Sequence, residues 1–562
     1  MTSDKKSIAL LAEIFIEQGL RYIVVSPGSR NAPIILSFAD NPQVKVISII
    51  DERSAAFFAL GMAQQIRQPV AVACTSGTAV LNYAPAIAEA YYQKVPLLIL
   101  TADRPDHLID QGEGQTIRQK KIFKNYIKGS FELTETINDE NEFGSAVKLI
   151  YKAYYLSVFP DYGPVHINLP FSEPLYNRIE SHKWEVKPIK PRINLFDLKE
   201  NDIATCIKGW NHYSKKLLIA GMMVPNPVIS RLIDKVIDDP SVVLLSETTS
   251  NLAGCSSISS IDKVVSTILP GEYEEFKPEL LVTFGGNVVS KMIKDFIRKN
   301  KPVEHWNIDP VDHNMNTYQC LTRGIQTEPY IFFREIADFV KKRKSNFREI
   351  WFERNKRSEY RHDKFLSNCP FSDLKVFETI LNAIPENSHV QLGNSTPVRY
   401  AQLFSSIKMR SFFSNRGTSG IDGSVSTSAG ACYATIHLTT LIVGDLGFLY
   451  DSNALMNDYL CRKLRIIIIN NSGGGIFRFI PGPAQTGNLL RFFDTKHNWS
   501  AKYIAKNFNV KYLSAKSLSE LKSSLEQIYL PESFYEPVIL EVFTPTEQNE
   551  EILKAYFNYL RH

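Results

Sequence analysis

Short runs of β-branched and leucine residues alternate along the chain with longer stretches whose apolar positions recur every three or four residues. Continuous apolar runs read as strands buried on both faces, and the longer amphipathic stretches read as helices covering them. The alternation therefore predicts an α/β fold of three domains, each a mostly parallel sheet flanked by helices. The strands fall into three groups: residues 22–25, 46–50, 70–74 and 97–100, then 217–220, 242–245 and 280–284, then 390–392, 441–443, 466–469 and 538–542.

Two breaks separate the groups. Residues 181–194 contain Pro188 and Pro191, lack a period and read as a linker. Residues 341–364 are densely charged, but Phe347, Ile350 and Trp351 keep helical spacing, which predicts a surface helix between the second and third domains. The expected domains are 1–185, 190–345 and 360–562. The first stretch places Ile8, Leu11 and Phe15 on one stripe and is interrupted by Glu13 and Glu17, so it reads as a helix and not a signal peptide. The apolar runs are too short to cross a bilayer.

Composition narrows the function classes. In 562 residues, 64 basic and 59 acidic side chains leave a net charge of +5, too small to argue for nucleic acid. The basic run at 341–364 comes with no nucleic-acid motif and reads as a solvated face. Seven dispersed cysteines without a CxxC pair suggest reduced thiols in a cytoplasmic enzyme.

The most informative stretch is residues 444–477. One apolar strand ends in Gly444-Asp445, and the next ends in Asn470-Asn471 followed by glycines 473–475. Adjacent parallel strands release both ends on the same sheet edge, where ligands bind. Asp445, the Asn471 amide and the carbonyl of Gly473 would form an all-oxygen half-shell, which suits Mg²⁺ bridging to phosphate. Gly473 and Gly474 let backbone N–H groups approach a diphosphate. Taken singly, Asp445 is a helix cap and 470–473 a turn. Jointly, this pattern resembles the thiamine-diphosphate signature, with Leu446 standing where the signature has its second glycine.

That resemblance implies an activating glutamate at a strand end of the first domain. Glu52, in Asp51-Glu52-Arg53 after the second strand, fits. It would hold the aminopyrimidine nitrogen of the cofactor so that the thiazolium proton can leave. Alone, Asp51-Glu52 is an acidic helix start, and Asp51 keeps that reading. His166 reads as a packed strand residue.

More specific motifs follow: SPGSRNAP (26–33), DERSAAFFALG (51–61), TSGTAV (75–80) with Gly77, LTADRP (100–105), GQTIRQ (114–119), GNSTPVR (393–399) and SNRGTSGIDG (414–423). They resemble the 2-succinyl-5-enolpyruvyl-6-hydroxy-3-cyclohexene-1-carboxylate synthase family of menaquinone biosynthesis, densely in the first and third domains and sparsely in the second. The resemblance implies thiamine diphosphate with Mg²⁺ or Mn²⁺, decarboxylation of 2-oxoglutarate and 1,4-addition to isochorismate. It assigns Arg399 and Ser395 to the donor's carboxylate, Ser29, Arg30, Arg104 and Gln115 to isochorismate, and Arg416 to the donor and cofactor. Glu52, Gln115, Arg399 and Arg416 would be the catalytic set. Two dianionic substrates need fixed positive charge, and guanidinium suits bidentate carboxylate recognition. Ile421 would wedge beneath the cofactor, with Ile476 and Phe477 lining the apolar side; each could equally be core. Lys291 matches a basic family position near the acceptor isochorismate, whereas Met292 stands where arginine is frequent. The family also implies a homodimer or homotetramer with sites shared between subunits, and no membrane or nucleic-acid partner. Residues 480–488 could be a mobile cover or a static loop. The rival readings are another thiamine-dependent enzyme, such as acetolactate synthase, and a non-catalytic protein retaining the fold.

Overall fold

The computed structural model describes the chain except residues 181–183, 185, 187–195, 253–254, 406–409, 480–486, 488–489 and 532–534. The expected linker lies mostly outside the described residues; within it, Trp184 stacks on Phe143 at 5.4 Å.

Three parallel sheets organise the fold. A small antiparallel ribbon pairs β1 (Thr2–Ser3) with β8 (Arg178–Ile179). The first sheet contains β2 (Tyr22–Val25), β3 (Lys45–Ser48), β4 (Val70–Cys74), β5 (Leu97–Asp103), β6 (Gly129–Glu132) and β7 (Val165–Pro170). The central sheet contains β9 (Lys216–Ala220), β10 (Val242–Ser246), β11 (Leu280–Phe284), β12 (Glu304–Ile308) and β13 (Arg323–Ile325). The third contains β14 (His389–Leu392), β15 (Ser411–Ser414), β16 (Thr439–Gly444), β17 (Leu464–Asn470), β18 (Lys511–Ala515) and β19 (Val538–Phe543).

The first sheet runs β3-β2-β4-β5-β7-β6 and the third β15-β14-β16-β17-β19-β18, one winding order used twice. The direction of winding reverses between β2 and β4 and between β14 and β16. Such switch points open a crevice at the carboxyl edge of a sheet. Motif residues 26–30 and 75–77 leave β2 and β4, and residues 393–395 and 444–445 leave β14 and β16.

Every strand read from a continuous apolar run is present. Those the pattern did not mark include β6, β13 and β18, sheet-edge strands with half-exposed side chains and no unbroken apolar run. The strand expected to reach Ile50 ends at Ser48, and Ile50 is exposed.

One apolar cluster joins the first and third sheets. It includes Val24, Phe58, Leu60 and Ile99 from one side and Val425, Leu441, Ile466 and Ile539 from the other. Its axis is the contact of helix Glu52–Ile66 with helix Ser424–Tyr433. Glycines permit the approach: a Cβ on Gly61 would stand 2.0 Å from the Thr427 carbonyl oxygen, and one on Gly430 2.0 Å from that of Phe58. Burial of this many aliphatic side chains, at about 25 cal/mol per Å² of apolar surface, holds the two domains as one body.

The charged segment forms helix Phe347–Ser367. Phe347 and Trp351 insert into the central core, while Tyr360 is exposed. Arg354 pairs with Glu272 at 2.6 Å, and Arg361 donates to the carbonyls of Leu560 and His562. Cys74, Cys206, Cys369 and Cys432 are buried, and all seven cysteines are free thiols. Among the described residues no helix is long and apolar enough to cross a membrane.

Candidate active site

The first half-site is a cavity of about 560 Å³ at the switch point of the first sheet. Ser29, Glu52, Gly77 and Gln115 line it together with Gly28 and Thr75. Glu52 is the first residue of its helix because Asp51 caps it, accepting from the Ser54 N–H at 3.0 Å. The capping reading of Asp51 is thus what the structure shows, and it leaves the Glu52 carboxylate at the cavity.

The cavity wall is tightly built. A Cβ on Gly28 would meet the Thr75 Cβ at 2.4 Å. Gly77 has φ +87°, and any side chain there would press on the Gln115 backbone at 3.2 Å. Gln115 is itself left-handed at φ +57°, a conformation that costs a residue with a Cβ about 1–3 kcal/mol and that clusters at functional sites. Gln119 ties the wall together, accepting from Gly77 N–H at 3.1 Å and donating to the Ala102 carbonyl and Asn168.

Arg30 and Arg104 do not line this cavity. Arg30 is buried and donates to the Phe171 carbonyl at 2.8 Å and to Glu173 at 3.3 Å. Arg104 donates to the Gly114 carbonyl, behind the Gln115 loop. Burial pulls Arg30 below its ordinary range, and the nearby positive charge of Arg104 adds to this. His166 is fully buried on β7, its Nε2 2.7 Å from Thr101 Oγ1, and burial pushes it down to about 3.

The second half-site lies at the ends of β16 and β17. Asp445 and the 471–475 loop, 28 residues apart in sequence at their point of contact, meet where Asp445 Oδ2 accepts from Gly473 N–H at 2.9 Å. Asp445 Oδ1 accepts from Leu446 N–H at 2.7 Å, so the residue that departs from the glycine signature keeps a backbone bond to the carboxylate. Burial raises Asp445 to about 7. The Asn471 amide donates to Asp373 at 3.0 Å, which leaves its oxygen as the uncommitted end. Gly473, at φ +146°, has room for no side chain: a Cβ would stand 2.5 Å from the Asp494 carbonyl oxygen.

A divalent cation fits this donor set. Among the described residues the buried carboxylate meets N–H groups and the ring of His497, with a second carboxylate, Asp373, near enough to raise it further. Among the described residues no three His, Cys, Asp or Glu side chains cluster as ligands. A cation here would therefore rest on one carboxylate, one amide and backbone oxygen, the mixture hard cations accept alongside phosphate. Gly444 carries open space where a Cβ would point. Gly474 donates to the Asp494 carbonyl at 2.7 Å, and Ile476 and Phe477 begin the short helix Ile476–Phe479, with Phe477 packed on Phe493. Ile421, at 38% exposure, is an aliphatic side chain left without cover, beside Gly447. The segment read as a cover, 480–488, lies outside the described residues apart from Gly487.

A basic cluster adjoins this half-site. Ser395 precedes helix Thr396–Ala401 at φ +74°, and Arg399 on that helix donates back to the Ser395 carbonyl at 2.5 Å. Arg416, buried, donates to Asn394 at 3.0 Å. Burial lowers both guanidinium pKa values, and Arg399 lowers Arg416 further. Adjacent cations desolvated in this way favour an anionic ligand. Lys291 opens helix Lys291–Lys299 beside the Ser290 cap. Met292 packs into the central core instead.

Several residues at the site carry no local sequence signal. His497 Nε2 stands 3.1 Å from Asp445. Asp373 orients Asn471. Glu89, buried on helix Ala84–Gln93, accepts from Gly417 N–H, Thr418 N–H and the Thr418 hydroxyl at 2.7 Å each, clamping the loop that bears Arg416 and Ile421. Glu247 accepts from Val289 and Ser290 N–H at 2.7 Å, and Asn287 donates to the Arg416 carbonyl. The central domain thus reaches the basic cluster with residues besides Lys291, the one position there that the resemblance assigned to substrate.

Among the described residues, none beyond Ile117 lines the Glu52 cavity. The segment beside Glu52 packs instead on the far end of helix Asp445–Tyr450, where Arg53 donates to the Tyr450 carbonyl at 2.8 Å.

This fold and pair of half-sites define a class, that of thiamine-diphosphate enzymes: residues 6–122 match the family described as thiamine pyrophosphate enzyme, N-terminal TPP binding domain. Near-full-length relatives carry the name 2-succinyl-5-enolpyruvyl-6-hydroxy-3-cyclohexene-1-carboxylate synthase. That of Flavobacterium psychrophilum is 42% identical over 98% of each chain, that of Flavobacterium johnsoniae 43% over 98% of each, and that of Bacteroides fragilis 36% over 100% of each. The chain belongs to this synthase family.

Proposed function

We infer that the chain decarboxylates 2-oxoglutarate and joins the remaining four-carbon unit to isochorismate, releasing CO₂ and forming 2-succinyl-5-enolpyruvyl-6-hydroxy-3-cyclohexene-1-carboxylate. The observations that carry the reading are Glu52 lining the switch-point cavity of the first sheet and Asp445 meeting the 471–475 loop at the carboxyl edge of the third, two sheets with the same winding order, in a chain of this family. When bound, thiamine diphosphate supplies the nucleophilic carbon and the cationic electron sink that decarboxylation requires.

The protein's own residues do the rest. Glu52 holds a proton against the aminopyrimidine ring nitrogen, with Gly77 leaving that ring room. Asp445, Asn471 and the Gly473 carbonyl hold Mg²⁺ or Mn²⁺, while Gly444, Gly473 and Gly474 let the diphosphate approach the backbone. Ile421 would pack against the cofactor, and Ile476 and Phe477 would keep water from the reacting centre. Arg399 and Ser395 take the distal carboxylate of 2-oxoglutarate, with Arg416 beside them. Ser29 and Gln115 face isochorismate at the cavity, Arg30 and Arg104 add positive charge behind them, and Lys291 contributes from the central domain.

The family shares its sites between subunits, and among the described residues none of the third domain lines the Glu52 cavity; this supports a homodimer, or a homotetramer of two such pairs, in which one copy provides Glu52 and the other the cation site. The setting is cytoplasmic. The test is incubation with thiamine diphosphate, Mg²⁺, isochorismate and either 2-oxoglutarate or pyruvate, following CO₂ and adduct by mass spectrometry. The succinylated adduct from 2-oxoglutarate alone is expected. Equal turnover of pyruvate would point to an acetolactate-synthase type of activity, and no CO₂ from any 2-oxo acid to a non-catalytic protein.

A further inference from the structure

An asparagine ligand carries an ambiguity that a carboxylate does not. Its side chain ends in one oxygen and one NH₂ of nearly equal size, and only the oxygen can bind a cation. Something must choose which end faces Asp445. We propose that Asp373 makes that choice: it is a positioning residue that holds the Asn471 amide by its NH₂ end and presents the oxygen to a divalent cation. The proposal rests on the reading of Asp445, Asn471 and Gly473 as the cation site.

The geometry is one-directional. Asn471 Nδ2 lies 3.0 Å from Asp373 Oδ2, and an ionised carboxylate only accepts. Turning the amide over would set its oxygen against the carboxylate, with no hydrogen between them. Asp373 is itself unable to turn away. It is fully buried, its Oδ1 accepts from the Thr544 hydroxyl at 2.6 Å, and its backbone N–H donates to Asn549 at 2.8 Å. On the other side of Asn471, the Thr546 hydroxyl donates to its backbone carbonyl at 2.8 Å. The ligand is therefore fixed at both ends by residues from two other segments, 373 and 544–549.

An acidic residue at the start of helix Asp373–Ala383 has an ordinary role in offsetting the helix dipole, but that role needs no bond to Asn471. Partners behind a ligand of this kind are known to matter to affinity by about 10–100-fold.

The experiment measures Mn²⁺ binding to the full-length protein in the presence of thiamine diphosphate, by the loss of the free-ion electron paramagnetic resonance signal, together with the melting temperature of the cofactor-free protein. Asp373→Leu, which offers Asn471 no acceptor, is expected to weaken Mn²⁺ binding about 10–100-fold while the cofactor-free protein keeps a cooperative melting transition. Unchanged Mn²⁺ affinity in a folded Asp373→Leu variant overturns the proposal. A polarity swap decides the matter even where that variant folds poorly. Asn471→Asp alone sets two carboxylates face to face and binds Mn²⁺ weakly, whereas Asp373→Asn with Asn471→Asp restores a donor behind an oxygen ligand and binds more tightly. A swap no better than Asn471→Asp alone refutes the orienting role. If Asp445→Ala binds Mn²⁺ as tightly as the native chain, the cation-site reading itself fails, and this proposal with it.

Discussion

Gly61→Ala adds one methyl group where two domains meet. The new Cβ would stand 2.0 Å from the Thr427 carbonyl oxygen, 2.8 Å from its carbon and 2.9 Å from the Ala431 nitrogen. All three are backbone atoms of helix Ser424–Tyr433, so no rotamer change relieves the contact, and the helices must move apart by about 1 Å. Overpacking of this kind costs about 1–3 kcal/mol. Alanine's better helix propensity returns about 1 kcal/mol, leaving a net loss of up to about 2 kcal/mol. Gly144→Ala makes the same chemical change in helix Glu140–Val158, where nothing lies within 4 Å of the new carbon, and is expected to stabilise by about 0.5–1 kcal/mol. Urea denaturation should therefore place the two variants on opposite sides of the native midpoint. Glu52 sits at the start of the displaced helix, and a shift of about 1 Å in a catalytic group can cost about 10²-fold in rate. Gly61→Ala should accordingly lose turnover while Gly144→Ala keeps it. If both variants unfolded together and turned over like the native enzyme, the steric reasoning about this interface would be wrong.

Glu52→Gln should retain thiamine diphosphate in equilibrium dialysis yet lose most of its turnover, because an amide cannot hold the proton the carboxylate holds; native turnover would reassign the activator. Arg399→Ala should raise the KM for 2-oxoglutarate by about 10–100-fold, the loss of a charge-assisted pair worth about 1.5–3 kcal/mol, and an unchanged KM would place the donor carboxylate elsewhere. His166 gives a pH test: burial pushes it to about 3 from an ordinary 6.5, so below pH 6.5 the unfolded chain takes up a proton that the folded chain refuses. Native stability then falls by about 1.4 kcal/mol per pH unit from this residue. The stability gap between the native protein and His166→Asn should narrow by about that amount between pH 5.5 and 4.5, and a constant gap in denaturation titrations would contradict the buried neutral imidazole.

Much of this molecule is local and could be read from the chain alone. Apolar runs such as residues 466–469 and 97–100 are buried strands because a parallel sheet covered on both faces leaves no polar alternative, and Asp51 caps its helix within three residues. The Gly444-Asp445 and Asn470-Asn471 turns were legible because β16 and β17 are sheet neighbours, so strand pairing alone brings their ends together. The edge strands β6, β13 and β18 were not, since exposure on one side erases the apolar run that marks a central strand.

Only the folded chain could decide the partners that lie far apart in sequence. Asp373 meets Asn471 across 98 residues, and Glu89 meets Thr418 across 329. Neither pair has a sequence pattern, because each depends on how sheets wind and how the helices at 52–66 and 424–433 close on one another. A motif records which chemical groups are present, whereas the distance between them is set by long-range burial, which local periodicity does not encode.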